Sequence, residues 1–143
     1  MKSNRAFTMV ELMVVVLIVG ILAAVAVPLM SGRVDGSKWS EGKAAMGTIA
    51  SAVRAYAAEK GTFATTPTLA EIGISDNELD GTYFSNGCYK LTSASCSTPG
   101  QVEFVITCTA GSSTRSSKPT KPASMTLTSS STNNYVATFA EGS

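Results

Sequence analysis

The run FTMVELMVVVLIVGILAAVAVPLM, residues 7–30, limits what this chain can fold into more than any other feature. About 20 apolar residues in helical form cross the hydrocarbon of a bilayer, and no charge occurs from residue 12 to residue 30. One acid, Glu11, stands at the edge of the run, where an unpaired carboxylate costs several kcal/mol, ~3 on insertion scales. Lys2 and Arg5 precede the run, and positive charge on that side keeps it in the cytoplasm, so the remainder is expected to face outward. Gly20 and Pro28 interrupt the run: glycine is a poor helix former, and proline removes a backbone donor and clashes with the preceding turn. The helix is expected to be weakest between them.

Beyond residue 30 this 143-residue chain has length enough for one small core. The formal net charge is +1 and there is no histidine, which removes the commonest general base and metal ligand and disfavours most hydrolase and zinc mechanisms. SEGK (40–43) and SDN (75–77) match fragments of a penicillin-binding signature, but no KTG follows, and Ser40 and Lys43 read as exposed residues of one helical turn. Asp76, Glu78, Asp80 and Gly81 resemble half a calcium loop, yet its closing acid would fall at Gly87. The simpler reading is a Ser75/Glu78 capping box on a short turn. Neither a metal nor a cofactor is expected. Cys88, Cys96 and Cys108 lie in the part that would be exported, where one disulfide with a thiol left over is the plainest arithmetic.

Beyond Gly32 and Gly36 the pattern becomes amphipathic. Gly42, Met46, Ile49, Val53 and Tyr56 recur at three- and four-residue steps, with Lys38, Glu41, Lys43, Arg54 and Glu59 on the other faces. This predicts a helix over 37–60, and continuous helix from residue 7 would extend about 80 Å at ~1.5 Å per residue. Gly61 ends it, and Thr68 with Glu71 caps a short helix closed by Gly73. Strands are expected within 82–140. They comprise 82–91 with Asn86-Gly87 as a hairpin turn or bulge, 101–109 with Val102, Phe104, Ile106 and Cys108 on one face, 124–128, and 135–139. The fold class is α+β, a long N-terminal helix packed on a small antiparallel sheet. The Ser/Pro-rich loop 112–123 carries Arg115, Lys118 and Lys121 and no acid. It is either a solvated loop or a surface patch for DNA, anionic glycan or a neighbouring subunit.

With RAFTMVELMVVV (5–16) and the apolar run onward to Pro28 in view, the N-terminus resembles that of the type IV pilin family, which includes pilus subunits and the pseudopilins of type II secretion and DNA uptake. The resemblance implies a leader of residues 1–6, a filament-core helix over 7–30 and a globular pilin domain over 31–143. It implies a prepilin peptidase cutting between Ala6 and Phe7 and methylating the new amine of Phe7; the family usually has glycine where Ala6 stands. Glu11, with Thr8, would then serve assembly, the acid meeting the N-terminal amine of a neighbouring subunit. The stretch from Gly20 to Pro28 corresponds to the part that loses helicity in assembled pili.

The partners so implied are other subunits in a homopolymer, the peptidase, an inner-membrane platform protein and an assembly ATPase. The chain would lie in the inner membrane before assembly and in an extracellular filament afterwards, serving adhesion, twitching motility or DNA uptake, and would not be an enzyme. Lack of a C-terminal tryptophan motif, the one tryptophan being Trp39, leans towards a pilus over a pseudopilus. Two readings stand beside it. One is a pseudopilin; the other is an exported periplasmic binding or enzyme domain released at the A-x-A site Ala24-Val25-Ala26.

Overall fold

The computed structural model describes residues 7–142, without the side chains of Pro28 and Leu29. The expected leader, residues 1–6 including Ala6, therefore lies outside the described residues. The chain falls into two compact units, one ending at Val34 and the other formed by Asp35–Ser143. Helix α1, Met9–Lys60, supplies most of the first and the N-terminal element of the second.

In the first unit every described side chain from residue 7 to residue 27 is exposed. Helical backbone continues through Gly20, Pro28, Gly32 and Gly36, so the weakness expected between Gly20 and Pro28 does not break α1 in the single subunit. A window of this helix has a mean hydropathy of 3.0, enough by length and composition to cross a membrane.

The second unit is built on the amphipathic stripe. Met46, Ile49 and Val53 are fully buried, and Trp39, Ala50 and Ala57 widen the stripe into a face. Gly42 is buried and Tyr56 half-buried. Four strands form an antiparallel sheet in chain order: β1 Tyr89–Thr98, β2 Gln101–Thr109, β3 Ser124–Ser129 and β4 Thr138–Gly142. Their inward residues, among them Val102, Phe104, Ile106, Met125 and Leu127, share one core with the helix face. Alternation along β2 follows its sequence pattern, since successive side chains point to opposite faces.

Three local expectations are corrected. Asn86-Gly87 joins no two strands and makes no bulge. It lies in a 3-10 turn, Asn86–Cys88, because residues 82–84 upstream have already given their N–H groups to Glu41 and have none left for a ladder. The hairpin turn is at Pro99-Gly100, where Gly100 takes φ +87, a region glycine enters without a Cβ penalty. Residues 68–73 make one turn rather than a helix. Thr68 and Glu71 do bond reciprocally, with Gly73 at φ +80 closing the turn. The last strand begins at Thr138, not 135, since Asn134 and Tyr135 have φ 54 and 60 and cannot be extended.

Candidate assembly segment and surface

Thr8 caps the start of α1. Its backbone N–H and its hydroxyl donate to Glu11 Oε2 at 3.1 and 2.9 Å, while the Glu11 N–H donates to Thr8 Oγ1 at 3.3 Å. This is a capping box, which satisfies donors that the first helical turn leaves free. Both bonds to the carboxylate fall on Oε2, and Oε1 has no partner among the described residues. Around it Phe7, Met9, Val10, Leu12, Met13 and Val14 are all exposed. The segment therefore offers a continuous apolar surface with one half-satisfied acid.

Two further carboxylates on α1 organise the second unit. Glu41 Oε2 accepts from Thr82 N at 3.0 Å, and Oε1 from Tyr83 N at 2.9 Å and Phe84 N at 3.0 Å. A Cβ on Gly81 would collide with this carboxylate, standing 2.7 Å from its Cδ. Asp35 Oδ2 accepts from Thr120 N, Thr120 Oγ1 and Lys121 N at 3.0, 2.6 and 3.0 Å. Asp35 Oδ1 lies 3.6 Å from Lys38 Nζ. The Thr120 hydroxyl bond is the main cause holding the Asp35 carboxyl below its usual range; desolvation opposes it, and the two backbone bonds and Lys38 add to it. Sequence reasoning placed Glu41 on an outer face and assigned Asp35 nothing, because partners tens of residues away leave no local signal.

The basic residues of loop 112–123, read as either a surface patch or part of a solvated loop, make the following contacts. Arg115 Nη2 is paired with Asp80 Oδ2 at 2.6 Å. Lys118 Nζ donates to the carbonyls of Gly111 and Ser113 at 3.2 and 3.0 Å. Lys121 is bound through its backbone N–H to Asp35. Loop 112–123 is thus tied down at several points, with most of its residues exposed.

The expected disulfide is also absent: Cys88, Cys96 and Cys108 are free and buried. Register explains part of this. Cys108 faces Tyr89 at one end of the β1–β2 hairpin and Cys96 faces Val102 near the other, roughly 20 Å apart at ~3.3 Å per residue. Cys88 Sγ lies 3.8 Å from Ser85 Oγ, and Cys96 Sγ donates to the Thr98 carbonyl at 3.2 Å. Burial pushes the Cys108 thiol up to about 12, with Cys88 adding to the shift, so the thiol behaves as a small core hydrophobe. Ser75 and Glu78 form the expected capping box, with Ser75 N–H and hydroxyl donating to Glu78 Oε2 at 2.7 and 2.9 Å. Among the described residues no group of three or more His, Cys, Asp or Glu could hold a metal ion.

Residues 1–27 match the family model described as the prokaryotic N-terminal methylation motif. The chain is similar to the type IV major pilin protein PilA of Myxococcus xanthus, 44% identical over 57 residues, which are 40% of this chain and 26% of that protein. It is also similar to the type II secretion system core protein G of Pseudomonas aeruginosa, 42% identical over 55 residues, 38% of this chain and 39% of that protein. The match thus spans less than half the length of either curated relative. No solved structure matches the chain. Motif and relatives agree on the N-terminal segment, which is similar to that of a type IV major pilin and of a type II secretion core protein, and the long helix with its four-stranded sheet has a pilin-like arrangement.

Proposed function

We propose that the chain is the structural subunit of a type IV pilus, not an enzyme, and that it polymerises through the N-terminal part of α1. One observation carries the reading. Side chains 7–27 are all exposed in the subunit, and so large an apolar surface on a folded chain needs either lipid or protein against it. A membrane satisfies it before assembly, and neighbouring copies of the same helix satisfy it afterwards.

Glu11 selects the second state. Beside lipid, its carboxylate has, among the described residues, only the capping groups of Thr8 as partners, and a charge left partly unpaired in an apolar medium is costly. The peptidase would cut between Ala6 and Phe7 and leave a methylated amine on Phe7. That positive group on an adjacent subunit fits the open Oε1, so the pairing favours one axial stagger. Heterologous contacts of this kind do not close, which makes a filament rather than a ring. Loss of helix between Gly20 and Pro28 in the filament would let it lengthen under load. The membrane platform protein and assembly ATPase would supply extraction and energy, and the second unit would coat the outside, where adhesion, motility or DNA uptake is decided.

The similarity to core protein G of a type II secretion system favours a second reading, a pseudopilin built by the same mechanism. Electron microscopy of cells at native expression, with antibody against the second unit, separates the two. Long labelled surface fibres support the pilus; fibres seen only on overexpression, with secretion lost on deletion, support the pseudopilus.

A further inference from the structure

The chain has five asparagines, and Asn86 alone is followed by glycine. Asn4 lies outside the described residues. What separates Asn86 from the other three is the backbone N–H of the residue that follows. Glu78 N–H donates to the Ser75 carbonyl at 3.1 Å, Asn134 N–H to the Ser131 carbonyl at 3.2 Å and Tyr135 N–H to the Ser130 carbonyl at 2.9 Å. After Asn77, Asn133 and Asn134 that group is therefore spent on the main chain. Gly87 N–H lies in the first turn of the short 3-10 segment Asn86–Cys88, where such groups have no partner from the turn itself. Among the described residues its partner is the Asn86 side chain, with N to Oδ1 2.7 Å. The Asn133 carboxamide, by contrast, is engaged elsewhere, accepting from Ser130 N–H at 2.8 Å and donating to the Thr128 carbonyl at 3.2 Å. Asn86 and Gly87 are both exposed, and nothing lies within 4 Å of the place a Gly87 Cβ would take.

We propose that Asn86 is a site of spontaneous deamidation, with water as the co-reactant. Gly87 N and Asn86 C, Cα, Cβ and Cγ are the five ring atoms of a succinimide, and the bond to Oδ1 already brings that nitrogen beside the carboxamide. Glycine leaves the nitrogen unshielded, since it has no Cβ. Gly87 N gives its proton to hydroxide and attacks Cγ. The N–Cγ bond forms, the Cγ–Nδ2 bond breaks, and the carboxamide nitrogen leaves as ammonia with a proton from water. A second water then opens the imide. Breaking N–Cγ gives aspartate; breaking the bond from Gly87 N to the Asn86 main-chain carbonyl carbon gives isoaspartate. Ring closure needs rotation about Asn86, which releases the Tyr89 N–H bond to the Asn86 carbonyl, so opening of this one turn sets the pace. The product puts a third carboxylate among Asp76, Asp80 and Arg115, which line the same cleft. Isoaspartate also adds a methylene to the backbone between the buried residues Ser85 and Cys88. The reaction lies within the second unit and does not depend on the filament reading.

The test incubates the full chain in micelles in mildly alkaline buffer, in ordinary water and in water enriched in oxygen-18, and then digests it with pepsin in acid. Mass spectrometry follows the peptides holding Asn77, Asn86, Asn133 and Asn134, and a sample digested at time zero sets the background from preparation. Methyl transfer by an isoaspartate-specific methyltransferase counts the isoaspartate. The expected result is a gain of one mass unit at Asn86 that grows with time, with one heavy oxygen taken up from the labelled water and isoaspartate present beside aspartate. Asn77, Asn133 and Asn134 should stay unchanged over the same period. In Gly87→Ala, whose added methyl meets no neighbour, the fold is kept and nearly all of the product should be lost. No gain at Asn86 above the time-zero sample, aspartate without isoaspartate, equal gains at the other three asparagines, or wild-type conversion in Gly87→Ala would overturn the proposal.

Discussion

Thr8 and Glu11 hold each other at the start of α1, with the Thr8 hydroxyl 2.9 Å from Glu11 Oε2 and the Glu11 N–H 3.3 Å from Thr8 Oγ1. The acid is thus aimed by its own helix turn, while its other oxygen has no partner among the described residues. Glu11→Ala is expected to leave a membrane-inserted protein whose second unit is intact but which assembles poorly or not at all. Counting sheared filaments against total membrane-extracted subunit checks this, and normal filament yield from the variant would remove the role given to the pair.

The Glu41 carboxylate gathers three consecutive N–H groups and so fixes residues 82–84 to α1. Glu41→Ala should cost about 2–3 kcal/mol, since hydrogen bonds to a charged acceptor are among the stronger ones and the stranded donors are partly buried. Gly81→Ala should move stability the same way, because the added methyl would displace that carboxylate. Chemical denaturation of the full chain in micelles measures both. Wild-type midpoints in the two variants would mean the cradle is ornamental.

Asp35 gives the anchorage of loop 112–123 a pH dependence. Its folded pKa is lowered, chiefly by the Thr120 hydroxyl. A lowered folded pKa means that the contribution is present above the unfolded aspartate pKa and is lost as pH falls through the lower folded value. Protection of the Thr120 and Lys121 amides from hydrogen exchange, taken relative to the intrinsic rate at each pH, should therefore fall on acidification below the ordinary aspartate range and be low already at neutral pH in Asp35→Asn. Exchange that ignores both changes would contradict the assignment.

The free, buried thiols predict unreactive cysteines. Native protein should take up almost no iodoacetamide, and unfolded protein should take up three equivalents, one each at Cys88, Cys96 and Cys108. With the Cys108 thiol near 12, thiolate is scarce at neutral pH. An intact mass lower by two hydrogens, with one alkylation site after unfolding, would show instead that a disulfide forms.

Much of this could be read from the sequence wherever a signal was periodic. The stripe through Met46, Ile49 and Val53 located the core face of α1, and strict alternation in QVEFVITCT located β2 at its observed bounds. Where the outcome depended on distant partners, local signals misled. Asn86-Gly87 has the composition of a hairpin turn, but Glu41, more than forty residues earlier, takes the upstream N–H groups. β1 extends to Thr98 through a polar stretch, with Phe63 bridging to Cys96 on its outer edge, and nothing in YKLTSASCST announces that support. The three basic residues of loop 112–123 read as a patch or as part of a solvated loop; the fold gives two of their charged groups partners within the chain.

The central claim is that this chain is processed and assembled as a pilin, and the mass of the N-terminal peptide from membrane-extracted native protein tests it most directly. The account requires a chain beginning at Phe7 and carrying one added methyl group. A chain beginning at Val27, or one keeping residues 1–6 without a methyl, would contradict it.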